Sequence, residues 1–155
     1  MSQQSRTARK QQTAASRKFT KVERNLAGLV ALLGFVLYAN TLGHGYVLDD
    51  FSVIKDNKIV QQGSDALGTI FSTSYREGYW SKPGSLYRPL TLSMFALEWE
   101  LAPDNPALSH WINVLLYAVD GGLLFLLLAR WSPPGRVIFP LIISLLFIAH
   151  PLHTE

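Results

Sequence analysis

The chain has 155 residues, of which 48% are hydrophobic and only 16% are charged, and its formal net charge is +3. An ordinary soluble domain carries roughly 25% charged residues, so this composition, with its apolar residues gathered in blocks, argues against a single soluble domain. The absence of cysteine excludes a disulfide framework, a thiolate metal site and a cysteine nucleophile.

Residues 1–24 are strongly basic, with seven Lys and Arg residues and a single acid, Glu23. A basic head can bind nucleic acid, but its only aromatic residue is Phe19 and an apolar segment follows directly, so we expect no nucleic-acid partner. We interpret 1–24 as a disordered tail that lies in the cytoplasm, as the positive-inside rule predicts for the basic flank of a membrane span.

The first apolar block lies within residues 25–43 and carries no charge. A span needs roughly 20 residues, so this block predicts a first transmembrane helix. The apolar run is long and no small-x-small cleavage site follows Tyr38-Ala39-Asn40, which favours an uncleaved signal anchor over a cleaved signal peptide.

Residues 44–107 form a long loop that holds eight acids and five bases. Opposite a cytoplasmic tail, this loop is expected in the periplasm or the lumen. Within it, Pro89 suits a first helical position and predicts a helix over 89–101. Four apolar residues recur there at helical spacing: Leu90, Met94, Leu97 and Leu101. The segment is too short and too charged to span, so we predict an amphipathic helix at the membrane interface.

The rest of the chain predicts two more spans. Residues 108–130 form a second transmembrane helix, 131–136 a cytoplasmic turn containing Arg136, and 137–155 a third transmembrane helix with the start of a second outer loop. The expected fold is therefore an all-α, polytopic membrane protein with three transmembrane helices and interfacial helices in a long first outer loop.

Asp49 and Asp50 are the first candidate site. Adjacent carboxylates near a membrane surface can hold a divalent cation through hard oxygens. One of them can also act as a general base whose pKa its neighbour raises. Asp-Asp is also a common pair in solvated turns, and from spacing alone we favour the solvated turn.

Arg88 is the second candidate, because it precedes the predicted interfacial helix at Pro89. Its guanidinium offers a two-pronged set of donors for phosphate. The alternative is an interfacial arginine that extends to lipid headgroups.

A polar stripe on the second span is the third candidate. Its members are His110, Asn113, Tyr117 and Asp120. Their spacing of three, four and three residues places them within an arc of about 80° on one face of the helix. An acid inside a membrane is costly and suggests function. For Asn113, Tyr117 and Asp120 we favour the alternative, hydrogen bonding that holds the helices together, whereas His110 lies at the outer end of the helix and its role stays open. Gly121-Gly122 would permit close helix approach.

The fourth candidate is the C-terminal sequence from His150 to Glu155, which includes His153. Two histidines and a glutamate can bind a metal ion, and histidines can also donate hydrogen bonds to a phosphorylated ligand. The predicted topology puts Asp49-Asp50, Arg88, His110 and this C-terminal set on one face of the membrane. Carboxylates combined with Arg and His there suit transfer of a group from a phosphate-bearing lipid.

These motifs, in this order, resemble the N-terminal part of one family over roughly residues 38–155. The residues concerned are Tyr46-Val47-Leu48-Asp49-Asp50, Asn57, Tyr87-Arg88-Pro89-Leu90-Thr91, His110-x-x-Asn113-Val114-Leu115-Leu116 and His150-Pro151-Leu152-His153-Thr154-Glu155. The family is the multi-spanning protein O-mannosyltransferases that carry tetratricopeptide repeats, with their bacterial relatives, which are lipid-sugar-dependent C-type glycosyltransferases.

The resemblance implies many transmembrane helices, a polyprenyl-phosphate sugar as donor, a protein or glycan acceptor and inversion at the anomeric carbon. It implies that Asp49 or Asp50 deprotonates the acceptor, that Arg88, His150 and His153 contact the lipid phosphate, and that Glu155 supports them. It also implies an integral protein of the bacterial inner membrane, or of the endoplasmic reticulum membrane in a eukaryote.

Two departures qualify the resemblance. Tyr117 stands where a second histidine is expected, and the sequence stops at Glu155, before the family's further spans and repeats, so we expect a fragment, a truncated chain or a degenerate copy. Three helices are not expected to enclose a lipid-linked donor, so this piece alone is expected to be inactive. A non-catalytic membrane anchor or assembly subunit, or a transporter fragment with Asp120 on a conduction path, are the alternatives.

Overall fold

The computed structural model describes residues 17–150, which are helical wherever they form regular structure. This confirms the predicted all-α class. The α-helices are α1 (Lys21–Tyr38), α2 (Leu67–Ile70), α3 (Glu77–Trp80), α4 (Pro89–Leu101), α5 (Pro106–Trp131) and α6 (Ile138–Ile148). Two 3-10 segments cover Ala39–Gly43 and Val60–Ala66, and one wider helical turn covers Phe51–Lys55. The described chain divides into two compact units, 17–40 with 114–150 and 41–113.

Two helices are long and apolar enough to cross a membrane: α1 with its 3-10 extension, 23 residues over Lys21–Gly43, and α5, with 26 residues. Their outward faces carry exposed leucine and valine side chains, among them Leu32, Val36 and Leu123. Apolar side chains on the outside suit contact with lipid. The helices also satisfy their own backbone hydrogen bonds, which is required where no water is present to do so.

The third predicted span is not present at full length. Helix α6 has 11 residues, which rise about 16 Å, against a hydrocarbon core of roughly 30 Å. The helix begins at Ile138, directly after the turn in which Gly135 adopts φ 79° and the Arg136 N–H donates to the Pro133 carbonyl at 3.1 Å. It ends early, at Ile148, where the His150 N–H donates to the Phe147 carbonyl at 3.2 Å in a tighter turn. His150 precedes Pro151, and a residue before proline avoids the helical conformation. Within residues 17–150, therefore, the structure supports two spans and not three.

The start of α1 is fixed by a capping box. The Thr20 hydroxyl accepts the Glu23 N–H at 3.1 Å, and Glu23 Oε2 accepts the Thr20 N–H at 2.8 Å. The buried Glu23 carboxylate also pairs with Arg17, whose guanidinium donates to the Ala129 and Ser132 carbonyls at 3.3 and 3.2 Å. Arg17 thus supplies donors to carbonyls at the C-terminal end of α5, where a cation is favourable.

Small residues let α1, α5 and α6 approach closely. A Cβ at Gly121 would lie 2.6 Å from Ile148 Cγ2, and one at Gly122 would lie 3.1 Å from the Ala27 carbonyl oxygen. The close approach predicted for Gly121-Gly122 is therefore present. In a membrane the hydrophobic effect does not drive helices together, because lipid tails are as apolar as leucine. Close contacts between small residues are then a usual means by which apolar helices pack.

Residues 41–113 have a hydrophobic core of their own, so the long loop is a folded unit. The core contains Val53, Ile54, Val60, Ala66, Ile70, Tyr75, Leu92 and Ala96. Helix α4 packs against the segment Val60–Ala66 and the turn Phe51–Lys55. Burying these side chains provides the free energy that orders the connecting turns.

Helix α4 has the predicted range, and the residues it buries lie off the predicted apolar stripe. Leu92 and Ala96 enter the core, whereas Leu90, Leu97 and Leu101 of the stripe are exposed, by 76%, 44% and 79%. The exposed stripe is what an amphipathic helix at a membrane surface needs, and the interfacial placement of α4 stays a prediction.

Asn57 and Gly78 make the tightest contact in this unit. The Asn57 side chain is buried, and its Oδ1 accepts the N–H groups of Ile59 and Val60 at 3.1 and 3.2 Å. A Cβ at Gly78 would overlap Asn57 Oδ1 and lie 2.9 Å from the Ile59 nitrogen. The Lys58 N–H also donates to the Gly78 carbonyl at 3.1 Å. Only glycine allows this approach between the segments 57–60 and 77–80.

We predict that Gly78→Ala destabilises the chain by about 1–3 kcal/mol, the usual effect of overpacking. Thermal unfolding of the purified protein in detergent should then show a midpoint lower by several degrees. Gly68→Ala is the matched control in the same unit, because no atom lies within 4 Å of a Cβ at that position. Equal melting temperatures for the two variants would contradict the proposed contact.

Candidate functional site

Asp50 stabilises the turn that precedes the segment Phe51–Lys55. The Val47 N–H donates to Asp50 Oδ2 at 3.0 Å, and the Asp50 N–H donates to the Val47 carbonyl at 2.9 Å. Leu48 lies between them in the left-handed region, at φ 44°, and its side chain is 86% exposed. Because L-residues avoid this conformation, the bonds around it must offset strain of about 1–3 kcal/mol. The Asp50 carboxylate is therefore engaged locally.

Asp49 points away from that turn and forms an ion pair with Arg76, a residue that the sequence reasoning missed. Arg76 Nη2 lies 2.5 Å from Asp49 Oδ2, and the Asp49 side chain is 75% exposed. The Arg76 guanidinium lies 5.5 Å from the centroid of the Trp80 ring. A cation held between a carboxylate and an indole face has two independent attractions that fix its position.

Arg88 reaches the same neighbourhood through Tyr75. Its guanidinium carbon lies 5.3 Å from the centroid of the Tyr75 ring. Burial raises the pKa of the Tyr75 hydroxyl, the Arg88 guanidinium opposes that shift, and Asp49 and Arg76 also act on it. The structure thus brings the predicted residues Asp49 and Arg88 within electrostatic reach of one buried tyrosine.

Tyr46 lies in an acidic part of the same unit. Burial raises the pKa of its hydroxyl, and the carboxylates of Asp104, Asp50 and Glu98 add to the shift. Lys55 offsets part of this negative charge, since its ammonium lies 3.3 Å from Asp104 Oδ1 and 5.7 Å from the centroid of the Tyr46 ring.

Glu98 is a buried carboxyl that the sequence reasoning did not single out. It is 5% exposed, and burial raises its pKa although the Ser109 hydroxyl donates to Oε2. Its other oxygen, Oε1, and the Nε2 atom of the half-buried His110 have no hydrogen-bond partner within the described part of the chain. The His110 ring packs edge-to-face on His44, with centroids 6.4 Å apart.

The remaining members of the predicted polar stripe have separate environments. Asn113 is exposed. The Tyr117 hydroxyl donates to the Phe147 carbonyl at 3.2 Å, and its ring contacts Tyr38 at 4.7 Å between centroids, so Tyr117 joins helices. Asp120 lines an open groove of about 460 Å³ with Phe19, Arg130 and four leucines.

The C-terminal candidates are only partly within the described range. His150 follows the end of α6, is exposed, and donates its backbone N–H to the Phe147 carbonyl at 3.2 Å. His153 and Glu155 lie outside the described residues. A metal site at Asp49 and Asp50 gains no further ligands, because no group of three His, Asp or Glu side chains suited to a metal ion occurs in residues 17–150.

One signal in the sequence could have identified Arg76. It is the only cation between Lys58 and Lys82, and it lies in the aromatic segment Tyr75–Trp80, beside Tyr75. A single cation among aromatic rings in an acidic loop is a candidate partner for a carboxylate. The spacing of 27 residues from Asp49 is what concealed the pair.

Comparison with known proteins finds similar sequences in animals. The chain is 33% identical over 139 residues to human protein O-mannosyl-transferase TMTC3, covering 84% of the chain and 14% of that protein. It is 37% identical to protein O-mannosyl-transferase Tmtc1 of Drosophila melanogaster over 145 residues, covering 88% and 16%. It is 34% identical to tmtc2 of Xenopus laevis over 129 residues, covering 82% and 15%.

The chain thus spans about one seventh of the length of these curated relatives. No protein-family model matches it, and no solved structure matches it significantly.

The buried Glu98 predicts a pH dependence of stability. Its pKa is raised above the ordinary value of 4.5, so the folded chain binds the proton more tightly than the unfolded chain. The contribution of Glu98 to stability is fully present below pH 4.5 and is lost as the pH rises through the raised pKa. Relative to Glu98→Gln, the wild-type melting temperature should therefore fall as the pH rises from 4.5 through the raised pKa of Glu98.

Glu100→Gln is the control, because Glu100 is exposed and Ser64 bonds lower its pKa. Glu100 therefore contributes stability above pH 4.5 that is lost as the pH falls through its lowered pKa, which is the opposite sign. Parallel pH profiles for the wild type and Glu98→Gln would show that Glu98 does not carry the effect.

Proposed function

This chain corresponds to the N-terminal part of the TMTC family of protein O-mannosyl-transferases, and we propose that it forms the membrane-embedded start of an enzyme that transfers a sugar to a protein hydroxyl. The relatives' names support mannose as the sugar and protein as the acceptor. The family resemblance of the motifs supports a polyprenyl-phosphate sugar as the donor. The activity is proposed for the whole protein, since the chain spans about one seventh of its relatives.

The arrangement of Asp49, Arg76 and Arg88 around Tyr75 carries this proposal. It combines an exposed carboxylate, which can accept a proton and is paired with Arg76, with the guanidinium of Arg88, which can bind a phosphate. Transfer from a sugar phosphate needs both functions, one on the side of the attacking hydroxyl and one on the side of the leaving group.

In the proposed reaction the acceptor hydroxyl oxygen attacks the anomeric carbon and gives its proton to Asp49. The bond between the anomeric carbon and the phosphate oxygen breaks, and its electron pair leaves with the polyprenyl phosphate. The anomeric configuration inverts because attack and departure take place on opposite faces of the sugar. Arg88 is proposed to bind the negative charge that develops on the phosphate.

The geometry supports Asp49 over Asp50 as the base. Asp50 is half-buried and its Oδ2 accepts the Val47 N–H, so this carboxylate holds the turn. Asp49 is exposed and oriented by a side chain from another segment. A carboxylate acting as general base has to reach a bound hydroxyl at hydrogen-bond distance, and the exposed carboxylate of Asp49 is the more accessible of the two.

We predict that Asp49→Asn lowers the transfer rate by about 10²–10⁴-fold, the usual contribution of a general base, without loss of folded protein. Asp50→Asn should lower stability by about 1 kcal/mol and reduce transfer much less. Radiolabelled-sugar transfer to an acceptor peptide, with the protein expressed from its complete reading frame, measures both effects. Wild-type transfer by well-expressed Asp49→Asn would remove the base assignment and favour a non-catalytic membrane anchor.

We propose an integral membrane protein with a cytoplasmic N-terminus and with residues 44–107 in the lumen of the endoplasmic reticulum. The two apolar helices and the membrane-associated family support the membrane location. The seven basic residues in 1–24 support the orientation. His150, His153 and Glu155 are proposed to emerge in the same compartment as Asp49, where the histidines would contact the lipid phosphate.

Single-cysteine labelling tests this sidedness, because the chain has no cysteine of its own. We expect Asp49→Cys and His150→Cys to react with a membrane-impermeant maleimide only after the lumenal side is opened. Ser5→Cys should react from the cytoplasmic side in sealed vesicles. Labelling of positions 49 and 150 from opposite sides would rule out a shared site.

A further inference from the structure

We propose that Arg76 is a positioning residue that orients the Asp49 carboxylate for proton transfer, and that Trp80 in turn holds Arg76 in place. This inference rests on the proposed function, since it assigns Arg76 a task in the same reaction. Arg76 lies in none of the sequence motifs described above. Its proposed role follows from its contacts with Asp49 and Trp80.

The contacts of Arg76 differ from those of an ordinary surface ion pair. Its side chain is only 29% exposed, while the Asp49 side chain is 75% exposed. One edge of the guanidinium bonds to Asp49 Oδ2 at 2.5 Å, and its carbon lies 5.5 Å from the Trp80 ring centroid. Exposed pairs between two mobile side chains contribute little. The Arg76 guanidinium is already restrained by its partial burial and by the Trp80 ring. The ion pair therefore orders the more mobile Asp49 carboxylate.

The backbone around Arg76 is fixed as well. The Arg76 carbonyl accepts the N–H groups of Tyr79 and Trp80 at 3.1 and 3.0 Å, and the Tyr75 N–H donates to the Leu86 carbonyl at 2.8 Å. The Arg76 side chain therefore begins from a rigid turn, and the same turn positions the Trp80 ring on which it rests.

The turn of Asp49 is fixed independently. Asp50 bonds to Val47, and the Ser52 hydroxyl donates to the Asp49 carbonyl at 3.0 Å. The Asp49 backbone is thus held by its neighbours and its side chain by Arg76. Pairing through Oδ2 leaves Oδ1 for the acceptor hydroxyl, which is the arrangement a base needs before the substrate arrives.

Kinetics of the protein from its complete reading frame test the role. We expect Arg76→Gln to lower kcat by about 100-fold, the cost of a misplaced catalytic group, with the KM for the polyprenyl-phosphate sugar changed by less than about 3-fold. Arg76→Lys should recover part of the loss. Lys82→Gln is the matched control, because it removes the same charge from an exposed position six residues away and should leave both constants unchanged.

A raised KM for the donor with an unchanged kcat would overturn the proposal, because it would make Arg76 a ligand of the donor phosphate. An equal loss in Lys82→Gln would overturn it too, because the effect would then be one of net charge. Trp80→Leu should reproduce a smaller loss of kcat, since it removes the ring on which the guanidinium rests.

Cysteine reactivity tests the pair without reference to catalysis. In the Asp49→Cys chain, a guanidinium beside position 49 favours the thiolate and speeds alkylation by iodoacetamide. We expect Arg76→Gln in that background to slow the reaction at neutral pH by about 5-fold, and Lys82→Gln to have no effect. An unchanged rate would refute the pair itself. A slowed rate together with wild-type transfer by Asp49→Asn would leave the pair intact and refute the proposed function instead.

Discussion

The unit of residues 41–113 depends on one buried amide, that of Asn57. Its oxygen accepts two backbone N–H groups at the start of the segment Val60–Ala66, and its position requires glycine at 78. That contact sets the distance between residues 57–60 and the short helix Glu77–Trp80, which follows Tyr75 and Arg76. A buried polar group stabilises a fold only when it has hydrogen-bond partners. The Asn57 side chain meets this condition, because it accepts bonds from two backbone N–H groups and thereby orders the polar loop around it.

The sequence predicted the helical class and the two long apolar helices because both depend on local composition and length. It also predicted the range of α4, since Pro89 marks its start and Pro103 follows its end. The face of α4 that packs could not be read from its own spacing, because Leu92 and Ala96 are selected by the segment Val60–Ala66. The third span was overestimated because α6 ends at Ile148, where the His150 N–H turns back to the Phe147 carbonyl just before Pro151.

The residues of the candidate site also differ in whether the sequence alone could identify them. Asp49 and Arg88 were predicted from residue type and motif, and the structure adds Arg76 and Glu98, whose importance depends on partners remote in sequence or on burial. Adjacent aspartates have equal standing in a sequence, yet a left-handed residue before them directs one carboxylate to its own turn and the other outward. Identical side chains thereby take different tasks through the backbone alone.

The left-handed Leu48 has a consequence for how this segment tolerates sequence drift. A leucine at φ 44° is less favourable than glycine or asparagine there, so random substitution toward either would relieve strain. Glycine would also widen the range of accessible backbone angles. The carboxylates of Asp49 and Asp50 would then be held less firmly in different directions. An exchange of Leu48 chosen for stability would therefore cost definition in the orientation of the Asp49 carboxylate.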